Sequence, residues 1–289
     1  MSFPPEILHL IARNLPAAHL ISLCRVSPMW QAAAERALYR EISLIPCTRR
    51  RLKSLFLALK RNGHRHSLIR ILCLTEPYKG FRPAELEELG AVLKRCAHLR
   101  LLSVPGLPET FLPGLGLTPG HLPILQVFET TLATIALPSA SPLRCLALHL
   151  TSFDEEDAED TTRSLSAYAG TLEALILTMH EVPGTELAPI LESVAAALPG
   201  LRRLCVAPSH KDSTSPNLTY GGPYSGEPFN AIFAACAKFH SLESLVLHLR
   251  AEAGFDFFDW EPSYPEREYL GSDEEEEERR SYLLLYYFD

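Results

Sequence analysis

Residues 3–30 of this chain read FPPEILHLIARNLPAAHLISLCRVSPMW. Two prolines open the stretch, and a first helical turn tolerates proline because its N–H groups have no partner within the helix. Apolar residues then recur at helical spacing, at Ile7, Leu8 and Ile11. The pattern predicts a helix that ends near Asn14, since Pro16 disfavours the helical conformation for the residue before it.

Two further helices are predicted in the same stretch. Leu20, Leu23 and Val26 lie on one face of the second helix. Ser27 and Pro28 predict the N-cap and the first position of the third helix. Three helices in about forty residues expose more apolar surface than so small a unit can bury. We therefore expect this unit to pack against a partner or a neighbouring domain.

The segment resembles the F-box, the motif that docks on the Skp adaptor of cullin-based ubiquitin ligases. The residues that match the motif are Pro4, Glu6, Ile7, Leu8, Ile11, Leu15, Leu20, Leu23, Val26 and Trp30. Leu38 and Tyr39 follow, as in many fungal members of the family. Phe3 stands where the family usually has leucine, and residues 27–29 read Ser-Pro-Met in place of the more usual Cys-Lys-Arg.

The resemblance implies an adaptor-docking domain over residues 1–45. It assigns adaptor contacts to ten residues: Pro4, Pro5, Ile7, Leu8, Ile11, Leu15, Leu20, Leu23, Val26 and Trp30. The implied partners are the Skp adaptor and, through it, a cullin. The alternative is a plain N-terminal three-helix bundle without a partner.

The composition is that of a globular chain long enough for a small docking module and one large domain. Of its 289 residues, 47% are hydrophobic and 21% are charged. No stretch is apolar over the length that a membrane helix needs. The N-terminus lacks the basic start and apolar run of a signal peptide. We expect no membrane partner and a location in the cytoplasm, the nucleus or both.

Charge is unevenly distributed along the chain. The formal net charge is −8, but the acidic run at residues 273–278 supplies six of these charges and leaves −2 for the rest. So balanced a protein has no general attraction for nucleic acid, and no nucleic-acid partner is expected. The basic segment 46–65 carries one apolar helical face, formed by Leu52, Leu55, Phe56 and Leu59. It predicts a linker helix with a solvated basic face, and the alternative is a nuclear-import or phosphate-binding patch.

From residue 66 onward the pattern Leu-x-x-Leu-x-Leu recurs seven times. Its members are Ile69/Leu72/Leu74, Leu99/Leu102/Val104, Leu122/Leu125/Val127, Leu143/Leu146/Leu148, Leu172/Leu175/Leu177, Leu201/Leu204/Val206 and Leu242/Leu245/Leu247. The spacing is similar to that of leucine-rich repeats, in which each unit is a short strand plus a return segment. Return helices are predicted from about residues 83, 186 and 229, whereas residues 112–122 leave room only for a loop.

These repeats predict an irregular leucine-rich-repeat solenoid over residues 66–260, with parallel strands and return helices. An acidic, partly disordered segment is predicted over residues 261–289. In such a stack the first, fourth and sixth residues of each repeat point inward, and the third, fifth and seventh face the other side.

Candidate substrate contacts follow from this alternation. The outward positions carry Gln126, Phe128, His149, Thr178, Arg203 and His248. Apolar residues share that side, namely Ile71, Leu101, Ile124, Ile176 and Val246. Exposed apolar surface of this kind predicts either a bound partner or a covering segment of the chain itself, such as residues 282–288.

No complete catalytic, phosphate-loop or zinc motif occurs in the sequence. The seven cysteines are scattered without a Cys-x-x-Cys pair, and most predict small core residues. The acidic run at residues 154–160 is interpreted as solvated loop charge. We therefore expect no enzymatic activity, no metal and no cofactor. The alternative is a hydrolase that uses His149 with Ser152 and Asp154.

The sequence thus predicts an α/β protein in which a three-helix F-box docks on the Skp adaptor and the repeats bind an unknown target protein. That arrangement is typical of a substrate-recognition subunit of an SCF-type (Skp-cullin-F-box) E3 ubiquitin ligase. The alternative is an F-box and leucine-rich-repeat scaffold that acts outside the ligase.

Overall fold

A computed structural model describes residues 3–75, 80–107, 111–118, 121–130, 142–150, 155–179, 184–208 and 226–247. The chain begins with three helices, α1 (Pro5–Arg13), α2 (Ala17–Leu23) and α3 (Pro28–Arg40). A mixed α/β region built on a parallel eight-stranded sheet follows them.

The ends of the three helices follow the signals in the sequence. The first helix starts at Pro5 and ends before Asn14, and Pro16 precedes the second. At the start of α3, the side-chain oxygen of Ser27 accepts a hydrogen bond from the Trp30 backbone N–H at 3.3 Å. This cap satisfies a donor that has no partner within the helix. The three helices predicted in this stretch are confirmed.

The three helices α1 to α3, which we name the helical module, have a small core of their own. Its buried residues are Leu8, Ala12, Leu20, Ala33 and Ala34. Since three of these five side chains are single methyl groups, the core removes little apolar area from water. The module therefore depends on contacts with the rest of the chain or with a partner.

Within the described residues the sheet contains eight strands that pair in the order of the chain, each parallel to the next. Their bounds are β1 (Glu41–Leu44), β2 (Ile71–Leu74), β3 (Leu101–Ser103), β4 (Val127–Thr130), β5 (Cys145–Leu150), β6 (Ala174–Met179), β7 (Arg203–Pro208) and β8 (Ser244–Leu247). Parallel neighbours require a crossover connection, and helices supply most of these crossovers.

Six helices lie between the strands in the described part of the chain. They are α4 (Arg49–Arg61), α5 (Pro83–Leu93), α6 (Phe111–Leu115), α7 (Glu155–Ser166), α8 (Gly184–Ala197) and α9 (Gly226–Cys236), and a 3-10 helix (Gly63–Leu68) follows α4. Their apolar faces share one main core with one face of the sheet. Inward leucines build that core as predicted, because Leu99, Leu102 and Val104 of one repeat are all fully buried.

The fourth strand corrects the predicted register. Strand pairing aligns Phe128 with Leu102 and with Leu146, so the inward residues of this repeat are Leu125 and Phe128. The prediction had used Leu122, Leu125 and Val127, and therefore placed Phe128 outward. A shift of one residue reverses the side of every side chain in a strand. Phe128 is fully buried in the main core and is not a surface residue.

Three other predictions need adjustment. The sheet was predicted within residues 66–260, but it begins at β1, within residues 1–45. The segment predicted as a linker helix contains α4, which returns from β1 to β2 and contributes Leu52, Phe56 and Leu59 to the main core. The acidic run taken as a loop lies in α7 over residues 155–160. The segment predicted to be only a loop contains the short helix α6. His248 and residues 261–289, including the acidic run and residues 282–288, lie outside the described residues.

A buried carboxylate joins the helical module to the 3-10 helix. Glu35 on α3 forms an ion pair with Arg65 at 2.7 Å and contacts His64 at 3.0 Å. Arg65 also lies over the Tyr39 ring, 4.8 Å from its centroid. Burial disfavours the ionised carboxylate, but the hydrogen bond and charge of Arg65 outweigh burial and hold the pKa of Glu35 below its usual value.

We expect Glu35→Gln to lower the free energy of unfolding by about 1.5–3 kcal/mol at pH 7, because a charge-assisted hydrogen bond is lost. A carboxyl whose pKa is depressed in the folded chain stabilises the fold above its unfolded pKa, and this contribution is lost as pH falls through the folded value. The difference between wild type and variant should therefore shrink below the ordinary glutamate pKa of 4.5.

Urea unfolding at pH 7 and at pH 3 measures both effects. The matched control is Glu173→Gln, because Glu173 is exposed and its ion pair with Arg144 is 3.9 Å long. Exposed pairs contribute about 0–1 kcal/mol. Equal losses of unfolding free energy in the two variants would show that the ion pair of Glu35 does not stabilise the contact between α3 and the 3-10 helix.

Candidate docking surfaces

The helical module exposes most of the large apolar side chains that the structure leaves in solvent. In the described residues nine such side chains are exposed, and seven of them belong to residues 3–29. These seven form what we name the apolar surface of the module: Phe3, Ile7, Leu10, Ile11, Ile21, Val26 and Met29. Concentrated exposed apolar surface marks an interaction site.

The first helix shows how this surface arises. Leu8 and Ala12 are buried against α3, whereas Ile7 is 41% exposed and Ile11 38% exposed. Residues four apart lie on the same side of a helix, so Ile7 and Ile11 form an apolar strip beside the buried one. The apolar part of α1 is thus wider than the module itself can cover.

The structure divides the ten predicted adaptor contacts by exposure. Five are exposed, namely Pro4, Pro5, Ile7, Ile11 and Val26. Three are half-buried, namely Leu15, Leu23 and Trp30, and two are buried in the module core, namely Leu8 and Leu20. The buried pair holds the helices together, and the exposed five are free to touch a partner.

Sequence reasoning did not select four residues of the apolar surface as contacts: Phe3, Leu10, Ile21 and Met29. For two of them, Leu10 and Ile21, the sequence pattern did contain a signal. Leu10 directly precedes Ile11, and Ile21 directly follows Leu20. Each is an apolar residue beside the predicted apolar face, at a position where an amphipathic helix normally carries a polar residue.

Comparison with known protein families identifies this module. Residues 2–45 match the family described as F-box-like. The F-box-like domain covers α1 to α3 and the start of the sheet. F-box domains generally bind the Skp adaptor, so its presence implies an adaptor role in SCF-type ubiquitin ligases. No curated protein matches the chain.

A second surface lies on the side of the sheet that faces away from the main core, and we name it the second face. Its apolar residues are Leu101, Val127, Cys145, Ala147 and Ala174, with Ile71, Cys73 and Ile176 at their margin. No described helix contributes to this cluster. The second face is therefore an apolar floor formed by strands β2 to β6.

Polar groups interrupt this floor near the carboxyl ends of β3, β4 and β5. Glu129 is 8% exposed, and its carboxylate accepts a hydrogen bond from the Ser103 hydroxyl. The other carboxylate oxygen lies 2.8 Å from His149 Nε2. The buried carboxylate is satisfied by these two partners, as buried charge requires.

The predicted substrate contacts are distributed as follows. His149 and Thr178 are adjacent in the pairing of β5 and β6 and lie on the second face, as does Arg203 at the start of β7. Gln126 precedes β4 at the amino edge of the sheet, where its backbone N–H donates to the Arg100 carbonyl. Ile124 lies in the turn before that strand.

Ser103, Glu129 and His149 stand in a different order from the three groups of a serine hydrolase triad. In a serine hydrolase the histidine lies between the serine and the acid. Here the carboxylate of Glu129 lies between Ser103 and His149. The hydroxyl is thus hydrogen-bonded to a carboxylate and not to the imidazole. Ser152 and Asp154, the residues of the hydrolase alternative, lie outside the described part of the chain.

Burial suppresses the reactivity of the cysteines. All seven are free thiols. Burial raises the pKa of Cys96 and of Cys145 to about 12, and the pKa of Cys47 to about 11. These thiols stay protonated at neutral pH, whereas the thiolate is the nucleophile and the metal ligand. In the described ranges no three His, Cys, Asp or Glu residues are grouped as metal ligands.

None of the described helices combines the length and the apolar character needed to cross a bilayer.

Proposed function

We propose that this chain is a substrate-recognition subunit of an SCF-type E3 ubiquitin ligase, acting in the cytoplasm, the nucleus or both. The F-box-like domain docks on the Skp adaptor and through it on a cullin. The observation that carries this proposal is the apolar surface of the module, where seven large apolar side chains are exposed within residues 3–29. A partner that covers them gains hydrophobic stabilisation at about 25 cal/mol per Å².

The β–α units carry the other half of the function. We infer that they are degenerate leucine-rich repeats, as in fungal-type F-box proteins, and that their second face holds the target protein. The regular alternation of inward leucines with residues of the second face supports this assignment. The chain itself performs no chemistry and needs no cofactor. It raises the effective concentration of target lysines near a ligase-bound conjugating enzyme.

Co-expression with the Skp adaptor tests the docking step. We expect a stoichiometric complex in size-exclusion chromatography, and assembly of that complex onto a cullin. Soluble protein that ignores the adaptor would overturn the proposal. Adaptor binding without cullin assembly would identify a scaffold that acts outside the ligase.

Thr178→Arg tests the second face. Thr178 is half-buried beside His149, so a long cationic side chain there obstructs the floor of the surface. We expect target ubiquitination in cells to fall about tenfold, which corresponds to about 1.4 kcal/mol of binding free energy, while adaptor binding is unchanged.

The readout is a proteome-wide comparison of ubiquitinated lysines between cells that express wild type and variant chains. Ala196→Arg on the exposed side of α8 is the matched control, since it adds the same charge away from the second face. If both variants keep the same ubiquitinated lysines as wild type, targets bind elsewhere.

A further inference from the structure

A groove runs between α1 and α3 on the flank of the module that does not carry Ile7 and Ile11. It has a volume of about 370 Å³, and basic side chains line both of its walls. His9 and Arg13 lie four residues apart on α1, and Arg36 and Arg40 lie four residues apart on α3. Ala33, Ala37 and Leu10 supply the apolar part of the lining, and Glu6 is the one acidic residue among the described residues that line the groove.

The positive charge continues from the groove onto the sheet. Arg40, Arg70 and Arg100 occupy the same position before three successive strands. The Arg70 backbone N–H donates to the Arg40 carbonyl at 2.9 Å, and the Arg100 N–H donates to the Arg70 carbonyl at 2.8 Å. Neighbouring strands lie about 4.8 Å apart, so three guanidinium groups start from adjacent rungs of the same edge.

These arginines have no anionic partner in the part of the chain that the structure describes. No carboxylate there lies within 4.0 Å of Arg13, Arg36, Arg40, Arg70 or Arg100. Burial and the charges of Arg100, Arg36 and Arg40 lower the pKa of Arg70, so the four groups are close enough to repel one another. Like charges brought together in this way destabilise the free protein.

Later positions of the same row are built differently. There arginines alternate with acids, because Arg144 pairs with Glu173 at 3.9 Å and Arg202 pairs with Glu243 at 3.7 Å. The same fold position is therefore charge-balanced over β5 to β8 and unbalanced over β1 to β3. Packing does not require the imbalance, since the balanced half of the row supports the same strand geometry.

We propose that this basic groove, from Arg13 through Arg36 and Arg40 to Arg70 and Arg100, binds an acidic peptide segment of a partner protein. The positive strip covers two strand spacings and one helical turn, roughly 15 Å in all. That length exceeds a single anion and matches about five residues of extended chain at 3.3 Å each. Nucleic acid is a poorer match, because the chain outside its acidic run is nearly charge-balanced, at −2, and offers a long polyanion no attraction beyond this short strip.

A partner in the groove leaves most of the apolar surface of the module uncovered, although the two surfaces share Leu10. Residues two apart on a helix are separated by about 200° of rotation, so His9 and Arg13 lie on the opposite side of α1 from Ile7 and Ile11. A partner in the groove therefore leaves Ile7 and Ile11 accessible to the adaptor and contacts only Leu10 of the apolar surface.

Fluorescence anisotropy on the full chain tests the groove with a labelled hexaglutamate peptide as the probe. We expect binding that weakens as salt is added, because exposed charges are screened. The double variant Arg36→Ala, Arg40→Ala should raise the dissociation constant at least tenfold. The matched control is Arg144→Ala, Arg202→Ala, which removes the same charge from the balanced half of the row and should change binding less than threefold.

Three results would overturn the proposal. Equal losses of peptide affinity in the variant and the control would show that binding depends only on the net charge of the chain. Tighter binding of a twelve-nucleotide single-stranded DNA than of the peptide would make the groove a nucleic-acid site. A chain that binds the peptide only after residues 273–278 are replaced by serine would show that its own acidic run, and not a partner, fills the groove.

Discussion

We expect the double variant Ile7→Asp, Val26→Asp to lose binding to the Skp adaptor by at least about 100-fold. Both side chains are exposed, so the carboxylates remain solvated in the free protein and the fold is unchanged. In the complex the same carboxylates would be buried against an apolar partner, which is costly without a hydrogen-bonding group to receive them. Two hot-spot contacts of about 2 kcal/mol each are sufficient for a loss of this size.

Calorimetric titration of the purified chain with the adaptor measures the loss, and circular dichroism checks the fold. The control is Leu57→Asp, Phe233→Asp, which changes the two large apolar residues that are exposed outside the module in the described part of the chain. This control should bind the adaptor like wild type. If the Ile7→Asp, Val26→Asp variant still bound the adaptor, the apolar surface of the module would not be the adaptor-docking site.

Phe128→Ala should lower the free energy of unfolding by about 3–5 kcal/mol, because a fully buried aromatic ring leaves a cavity when it is removed. Phe128 is 0% exposed and packs among the inward leucines of β3 and β5. Chemical denaturation followed by tryptophan fluorescence gives the value.

Gln126→Ala is the matched control for this register. Gln126 is half-buried at the amino edge of the sheet and is held there through its backbone. Its replacement should cost less than about 1 kcal/mol, since surface substitutions rarely cost more. Similar losses at the two positions would contradict the strand register that places Phe128 inside.

The predictable parts of the fold are those where one local signal dominates. The prolines and the Ser27 cap determine where α1 to α3 begin and end, and the inward leucines mark six of the eight strands. The F-box-like domain was recognisable from residues 3–30 because its apolar spacing and its prolines occur together.

Two strands escaped this reasoning for different reasons. At β4 the leucine pattern favours the wrong register, because Leu122, Leu125 and Val127 are all apolar, whereas the observed register places Thr130 at the last inward position. The backbone decides between the two registers, because Leu122 adopts a left-handed conformation with φ of 51° and lies in a turn. The first strand follows α3 without a turn signal and contributes one buried residue, Ile42, and one half-buried residue, Leu44, to the core, so its alternation is too short to detect.

The candidate site was predictable only in part. Exposed and buried residues of α1 alternate within one apolar run, so Leu8 and Ile7 could not be told apart before α3 was packed against them. The basic groove was not predictable either, because Arg13, Arg36, Arg70 and Arg100 come from four segments that only the fold brings together. Acidic side chains that balance the rest of the row are equally remote in sequence.

The sequential strand order also has a consequence for synthesis. Every strand pairs only with strands that are its neighbours along the chain, and β1 follows α3 directly. Each pairing therefore closes only the one crossover between consecutive strands, which is a shorter loop than a non-sequential strand order would require. The helical module precedes the sheet in the chain, so β1 is synthesised before the later strands and offers an edge on which β2 and then each later strand can assemble while translation continues. When strands are added in this order, each strand can pair as soon as the next strand along the chain has been synthesised.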